Sequence, residues 1–145
     1  MWSTGIDTTM VETFITQKIV PMLFYNDSEK MAKYPPKIKS YYIEDRVKFP
    51  VYEIYVPNDS LRIIMCHNFK FWKVSISCRA KLVNTFRGLF DMYSKPSTDH
   101  YEGFDQDYEY NRLVDNHSAF TFETNDNYNL YTILYIIKRQ CEFFM

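Results

Sequence analysis

Hydrophobic and polar residues alternate along three successive runs between Val51 and Cys78, and turn residues separate the runs. A period of two is typical of a half-buried strand. In the third run, the two sides of an extended chain differ in polarity. The apolar side holds Trp72, Val74, Ile76 and Cys78. The polar side holds Lys73, Ser75 and Ser77. The pattern predicts a three-stranded antiparallel meander with one buried and one solvent-exposed face. Its turns are expected at Pro57–Ser60 and at His67–Asn68.

The residues before the meander predict helix first and strand second. Thr9 and Glu12 form a capping box, and apolar residues then recur at helical spacing until Pro21, which should kink the helix or end it near Val20. Residues 28–34 are expected to add one or two helical turns. Ile38–Ile43 is predicted to be an edge strand, where nearby lysines discourage unwanted pairing.

After the meander, the helical period returns over Arg79–Tyr93, and the pattern then dissolves over Ser94–His117. A short strand is expected at Ala119–Glu123. Asp126 or Asn127 should cap a last helix, whose core-facing residues are predicted to be Leu130, Ile133, Leu134 and Ile137. Because Tyr128, Tyr131, Tyr135 and Ile136 make this helix apolar nearly all round, we expect it to be buried on two sides or to press on a partner.

These elements predict one α+β domain over residues 1–145, with an antiparallel sheet of four to five strands and three helices packed mainly on one face. The three cysteines form no CxxC pair, which favours a reducing compartment, the cytoplasm. No signal peptide and no apolar run of about 20 residues is present, so we predict a soluble protein without a membrane partner.

Charge divides the chain into a basic part, 28–90, and an acidic, tyrosine-rich segment, 91–127. Carboxylates with interleaved tyrosines suit a protein-binding surface, one that imitates a nucleic-acid backbone to occupy a basic groove. The candidate partner-binding residues are Asp99, Tyr101, Glu102, Phe104, Asp105, Asp107, Tyr108, Glu109 and Tyr110. The alternative is a solvated loop, or two regions that neutralise each other across the fold.

The basic part supports a second interpretation, a module that binds single-stranded nucleic acid. Aromatic side chains on a sheet face can stack on bases, while flanking cations follow the phosphates. The candidate residues are Lys37, Lys39, Arg46, Lys48, Phe69, Lys70, Phe71 and Lys73. The glycines of the RNP consensus are absent, and both phenylalanines also fit a core position.

Motifs for catalysis are weak. Asp105, Asp107 and Glu109 could offer oxygen ligands to Mg²⁺ in a metal-dependent nuclease, our third interpretation, but their spacing does not match a calcium loop. Cys66 and His67 are neighbours on a strand, so they point to opposite faces. The chain has no GxGxxG, phosphate loop or HExxH motif, and we therefore predict a non-enzymatic protein without cofactor or metal.

The sequence hypothesis is accordingly a small interaction protein with a protein partner. Phe, Tyr, Ile, Asn and Lys are abundant and have AT-rich codons, which favours an AT-rich source genome, such as that of a phage, a large DNA virus or a low-GC bacterium. We therefore consider a phage, viral or mobile-element inhibitor of a host macromolecule, acting in the host cytoplasm if viral. The apolar C-terminal helix is the candidate surface for a homo-oligomer.

Overall fold

The computed structural model describes residues 8–79, 95–96 and 117–143. The helical segments are α1 (Thr8–Phe14), a π-helical turn (Ile15–Ile19), α2 (Val20–Leu23), α3 (Ser28–Lys33) and α4 (Asn127–Phe143). The strands are β1 (Lys37–Glu44), β2 (Val47–Val56), β3 (Leu61–His67), β4 (Trp72–Arg79), β5 (Lys95–Pro96) and β6 (His117–Thr124). The fold is therefore α+β, as predicted.

The strands form one antiparallel sheet in the order β1-β2-β3-β4-β6-β5. Five strands are long, and β5 contributes only two residues. The meander is confirmed as β2, β3 and β4, with Ile54 opposite Ile63, and Met65 opposite Val74. The predicted strands at Ile38–Ile43 and Ala119–Glu123 are confirmed within β1 and β6.

The first predicted turn of the meander is present, and the second lies at residues 68–71, because His67 still belongs to β3. Pro57–Asp59 forms a 3-10 turn that ends at Ser60, whose φ of 51° is left-handed. At the second reversal, the Asn68 side-chain oxygen accepts hydrogen bonds from the amides of Lys70 (3.1 Å) and Phe71 (3.0 Å). At this second reversal, the Asn68 side chain thus replaces ladder bonds that the backbone loses where it turns.

Pro21 changes the first helix without ending it at Val20. A proline has no N–H to donate and its ring clashes with the preceding turn. The chain accommodates it with the π-helical turn Ile15–Ile19, and helix then continues to Leu23. The next helix, α3, is capped by Asp27, whose carboxylate accepts from the amides of Glu29 (3.1 Å) and Lys30 (3.2 Å).

The main core lies between the sheet and the N- and C-terminal helices. It includes Ile15, Ile19 and Leu23 from the first helices; Ile54, Ile63, Val74, Ile76 and Phe122 from the sheet; and Leu130, Ile133, Leu134 and Ile137 from α4. The four α4 positions are those expected from helical spacing. Trp72 is also buried there, and its indole N–H donates to the Asn127 side-chain oxygen at 2.7 Å.

The prediction of a solvent-exposed second sheet face is wrong at β4. Lys73, Ser75 and Ser77 are buried. On the same face, Phe49, Val51, Ile64 and Cys66 form a second apolar cluster, with Tyr42 and Phe69 packed against it. Period-two alternation identified the two faces correctly, but it did not reveal that the polar face of β4 is also covered.

Some predictions fall on residues that the structure does not describe. Arg79 is the last residue of β4, and the rest of the helix predicted at Arg79–Tyr93 lies outside the described residues. Within the long loop predicted at Ser94–His117, only Lys95–Pro96, in β5, and His117, at the start of β6, are described.

Candidate functional site

The outer face of α4 carries a row of exposed tyrosines. The exposed fractions of Tyr128, Tyr131 and Tyr135 are 75%, 37% and 45%. Steps of three and four residues place side chains on one face of a helix. Asp126 caps this helix by accepting from the amides of Tyr128 (2.8 Å) and Asn129 (3.4 Å). Because the opposite face of α4 is anchored in the core, the three phenol rings are held on a fixed element.

A fourth tyrosine lies near the C-terminal end of this row. Tyr25 follows α2 with a left-handed φ of 52°, and its side chain is exposed. Its hydroxyl donates to Glu142 Oε2 and accepts from Arg139 Nη1 at 3.3 Å. Arg139 also contacts Glu142 Oε1 at 3.2 Å. We call Tyr25, Tyr128, Tyr131, Tyr135 and Arg139 the tyrosine surface.

Under this end of the surface lies a buried ion pair. The Lys138 ammonium donates to Asp59 Oδ2 and to Glu142 Oε2, the latter at 3.3 Å, and it lies 4.9 Å from the centre of the Tyr25 ring. Both Lys138 and Asp59 are buried. Burial by itself lowers the pKa of Lys138, but the hydrogen bonds and charges of Asp59 and Glu142 outweigh it and raise that pKa. The ion pair fastens the turn between β2 and β3 to α4.

A cavity of about 470 Å³ opens beside the ion pair. Phe24 and Tyr34, whose rings are nearly parallel with centroids 6.3 Å apart, contribute to its wall. The charged residues that line it are Glu29, Asp59, Glu142, Lys30, Lys33 and Lys138. Since these comprise three acids and three bases, the described lining favours neither an anion nor a cation.

A second cavity, of about 510 Å³, is more basic. Lys33, Tyr34, Pro35, Lys37, Glu53, Tyr55 and Arg62 line it. Glu53 Oε2 lies 2.6 Å from Arg62 Nη2 and 3.8 Å from Lys39 Nζ, so one carboxylate oxygen forms salt bridges with two cations. Burial and the positive charge of Arg62 lower the pKa of Lys39 to about 8, although Glu53 opposes the shift.

The residues predicted to bind nucleic acid do not share one open sheet face. Phe69, Lys70 and Phe71 lie in the turn between β3 and β4, and Phe69 packs edge-on against Phe49 with ring centroids 4.9 Å apart. Lys73 is buried, with its ammonium 4.6 Å from the centre of the Phe71 ring.

The other candidates on β1 and β2 differ in exposure. Lys37, Arg46 and Lys48 are exposed, whereas Lys39 is partly buried. Of this set, only Lys37 lines the basic cavity, and Lys39 contacts its wall through Glu53.

Cys66 and His67 point to opposite faces of the sheet, as expected. Burial raises the pKa of the Cys66 thiol to about 12, which disfavours the thiolate that a nucleophile needs. His67 packs against Trp72 with ring centroids 4.8 Å apart. Its Nδ1 accepts from the amide of Phe69 at 2.9 Å, so the ring is neutral with its proton on Nε2.

The predicted partner-binding residues from Asp99 to Tyr110, including the carboxylates Asp105, Asp107 and Glu109, lie outside the described residues. Within the described ranges, no group of three or more His, Cys, Asp or Glu side chains is placed to hold a metal ion. Among the described helices, none combines the length and the hydropathy that crossing a membrane requires.

Sequence reasoning missed the ion pair of Asp59 and Lys138 and the role of Tyr25. The sequence predicts Asp59 only as part of the turn at Pro57–Ser60. Asp59 and Lys138 are 79 positions apart, so no local pattern connects them. The apolar outer face of α4 was the one signal that pointed to this region.

In comparisons with known proteins, no protein-family model, no curated protein and no solved structure matches this chain.

Proposed function

We propose that this chain is a non-enzymatic interaction protein that binds a protein partner through the tyrosine surface. The exposure of Tyr128, Tyr131 and Tyr135 on one face of a helix whose other face is in the core carries the proposal. Tyrosine and arginine are the residue types enriched at the energetic centres of protein interfaces, because they offer large contact area together with polar groups.

The ion network supports this function by ordering one end of the surface before binding. Tyr25 and Arg139 are linked to each other and to Glu142, and Lys138 connects the same glutamate to the buried Asp59. Side chains that are already held in place lose less conformational entropy when a partner binds. A partner can therefore use the Tyr25 ring and the Arg139 guanidinium at little ordering cost.

The acidic, tyrosine-rich segment remains a second part of this proposal. Its carboxylates would attract a basic partner surface, and its aromatic residues would supply contact area. A more specific version of the proposal is that the chain is a phage, viral or mobile-element inhibitor, which acts on a host macromolecule in the cytoplasm. It rests on composition alone.

Site-specific photo-crosslinking tests the tyrosine surface. A photoreactive phenylalanine analogue placed at Tyr131 should cross-link the partner in the source cell, because position 131 lies in the middle of the surface. The matched control is the same analogue at Tyr55, an equally exposed tyrosine on β2. A partner band of equal strength at 55 and 131, or at neither, would remove the proposal. A cross-link to a second copy of the chain at 131 would instead make α4 a homo-oligomer interface.

A second candidate function is binding of single-stranded nucleic acid, and the basic cavity favours it. Lys33, Lys37 and Arg62 converge there with the rings of Tyr34 and Tyr55, which combines cations for phosphates with aromatic faces for bases. Oligonucleotide affinity should then fall steeply with added salt, and Lys37→Glu should weaken it. Affinity that does not respond to salt or to this substitution would eliminate the candidate.

A further inference from the structure

Strand β1 carries a row of exposed apolar side chains on one face, and among the described strands none pairs with its outer edge. β1 is the first strand in the sheet order. Ile38, Tyr41 and Ile43 share one face of this eight-residue strand and are 50%, 45% and 56% exposed. A long, apolar edge of this kind is a template for pairing with another strand.

Of the two lysines on β1, Lys39 lies inside the strand and is turned away from the edge. The register of β1 on β2 shifts between Ile38 and Ser40, which leaves Lys39 as the extra residue of a bulge. The Lys39 side chain is only 10% exposed, and its ammonium lies 3.8 Å from Glu53. Lys39 therefore does not place a solvated charge on the edge that would repel an incoming strand.

The bulge also makes β1 complementary to itself. Partners in an antiparallel pair must have side chains on the same face of the sheet. With Lys39 left out of the count, a two-fold axis through Tyr41 satisfies this rule along the whole strand. One face of the strand then carries Lys37, Ser40, Tyr42 and Glu44, and the other carries Ile38, Tyr41 and Ile43. The resulting pairs are Lys37 with Glu44, Ile38 with Ile43, Ser40 with Tyr42, and Tyr41 with Tyr41 of the second copy.

We infer that two copies of this chain pair edge to edge through antiparallel β1 strands related by this axis. The axis brings opposite charges together at both ends of the strand pair, and it places each exposed isoleucine opposite an isoleucine of the second copy. Glu44 accepts a hydrogen bond from the Asn68 side chain at 3.0 Å, which holds its carboxylate at the end of β1. The complementary charges identify the occupant of the edge as a second copy, since the sequence of β1 supplies both halves of each pair.

Charge reversal tests the inference by sedimentation velocity over a wide range of protein concentration. Lys37→Glu and Glu44→Lys each place like charges opposite one another twice per dimer, and each should weaken dimerisation about tenfold. A mixture of the two variants should dimerise as well as wild type, because the heterodimer restores both opposite-charge pairs. Lys30→Glu, a reversal in α3 outside the strand, should leave dimerisation unchanged.

Hydrogen exchange locates the interface in the same samples, since the outward amides of β1 should become protected as the dimer forms. A wild-type chain that stays monomeric up to about 1 mM overturns the inference. A dimer that tolerates both single reversals, or one in which α4 is protected and β1 is not, overturns it as well. Thermal melts of each variant show whether it is folded, and the mixing experiment remains decisive because an unfolded variant cannot restore a dimer.

Discussion

Removing Lys138 should destabilise the fold more than removing its main partner. In Lys138→Met, the Asp59 carboxylate stays buried without its cation, and breaking a buried pair in this way costs about 3–5 kcal/mol. In Asp59→Asn, Lys138 keeps Glu142 at 3.3 Å, and the amide oxygen can still accept a hydrogen bond. The loss should therefore be smaller, about 1–3 kcal/mol.

Replacing both partners tests the same reasoning from the other side. Lys138→Met with Asp59→Leu leaves no buried charge, and apolar replacements of a buried pair are often close to neutral. Urea denaturation of wild type, Lys138→Met, Asp59→Leu and the double variant gives the free energies of unfolding and the coupling between the two sites. A Lys138→Met variant as stable as wild type, or a double variant less stable than either single variant, would refute the account of the ion pair.

Further predictions concern the core and the buried titratable groups. Val74→Asp should cost about 3 kcal/mol or more, because it buries an unpaired charge; an unchanged thermal midpoint would refute the register of the sheet. Burial lowers the pKa of His67 from 6.5 to about 4, so between these values the unfolded chain binds a proton that the folded chain does not. Stability should fall by about 3 kcal/mol as pH drops through this window, and His67→Gln should flatten the profile. The Cys66 thiol, with its pKa raised to about 12, should resist alkylation until the chain unfolds; rapid labelling of the native protein would contradict its burial.

The sequence predicted the meander well because its evidence is local. The alternation from Trp72 to Cys78 and the turn residues from Pro57 to Ser60 each determine the structure within a few positions of the chain. The structure agrees with both patterns. Helical spacing likewise identified the buried face of α4.

What the sequence did not predict depends on distant contacts. The polar face of β4 was expected to be solvated because Lys73, Ser75 and Ser77 are hydrophilic, yet all three are buried. The link between Asp59 and Lys138 and the left-handed backbone at Tyr25 arise where α2, the β2–β3 turn and α4 meet. Local periodicity carries no information about such a meeting point.

The central claim is that the tyrosine surface binds a protein partner, and affinity measured with the purified partner tests it most directly. Tyr131→Ala with Tyr135→Ala should weaken binding by about 2 kcal/mol or more, whereas the control Tyr55→Ala should leave it unchanged, with all variants melting like wild type. If the double variant binds the partner as tightly as wild type does, the tyrosine surface is not the binding site.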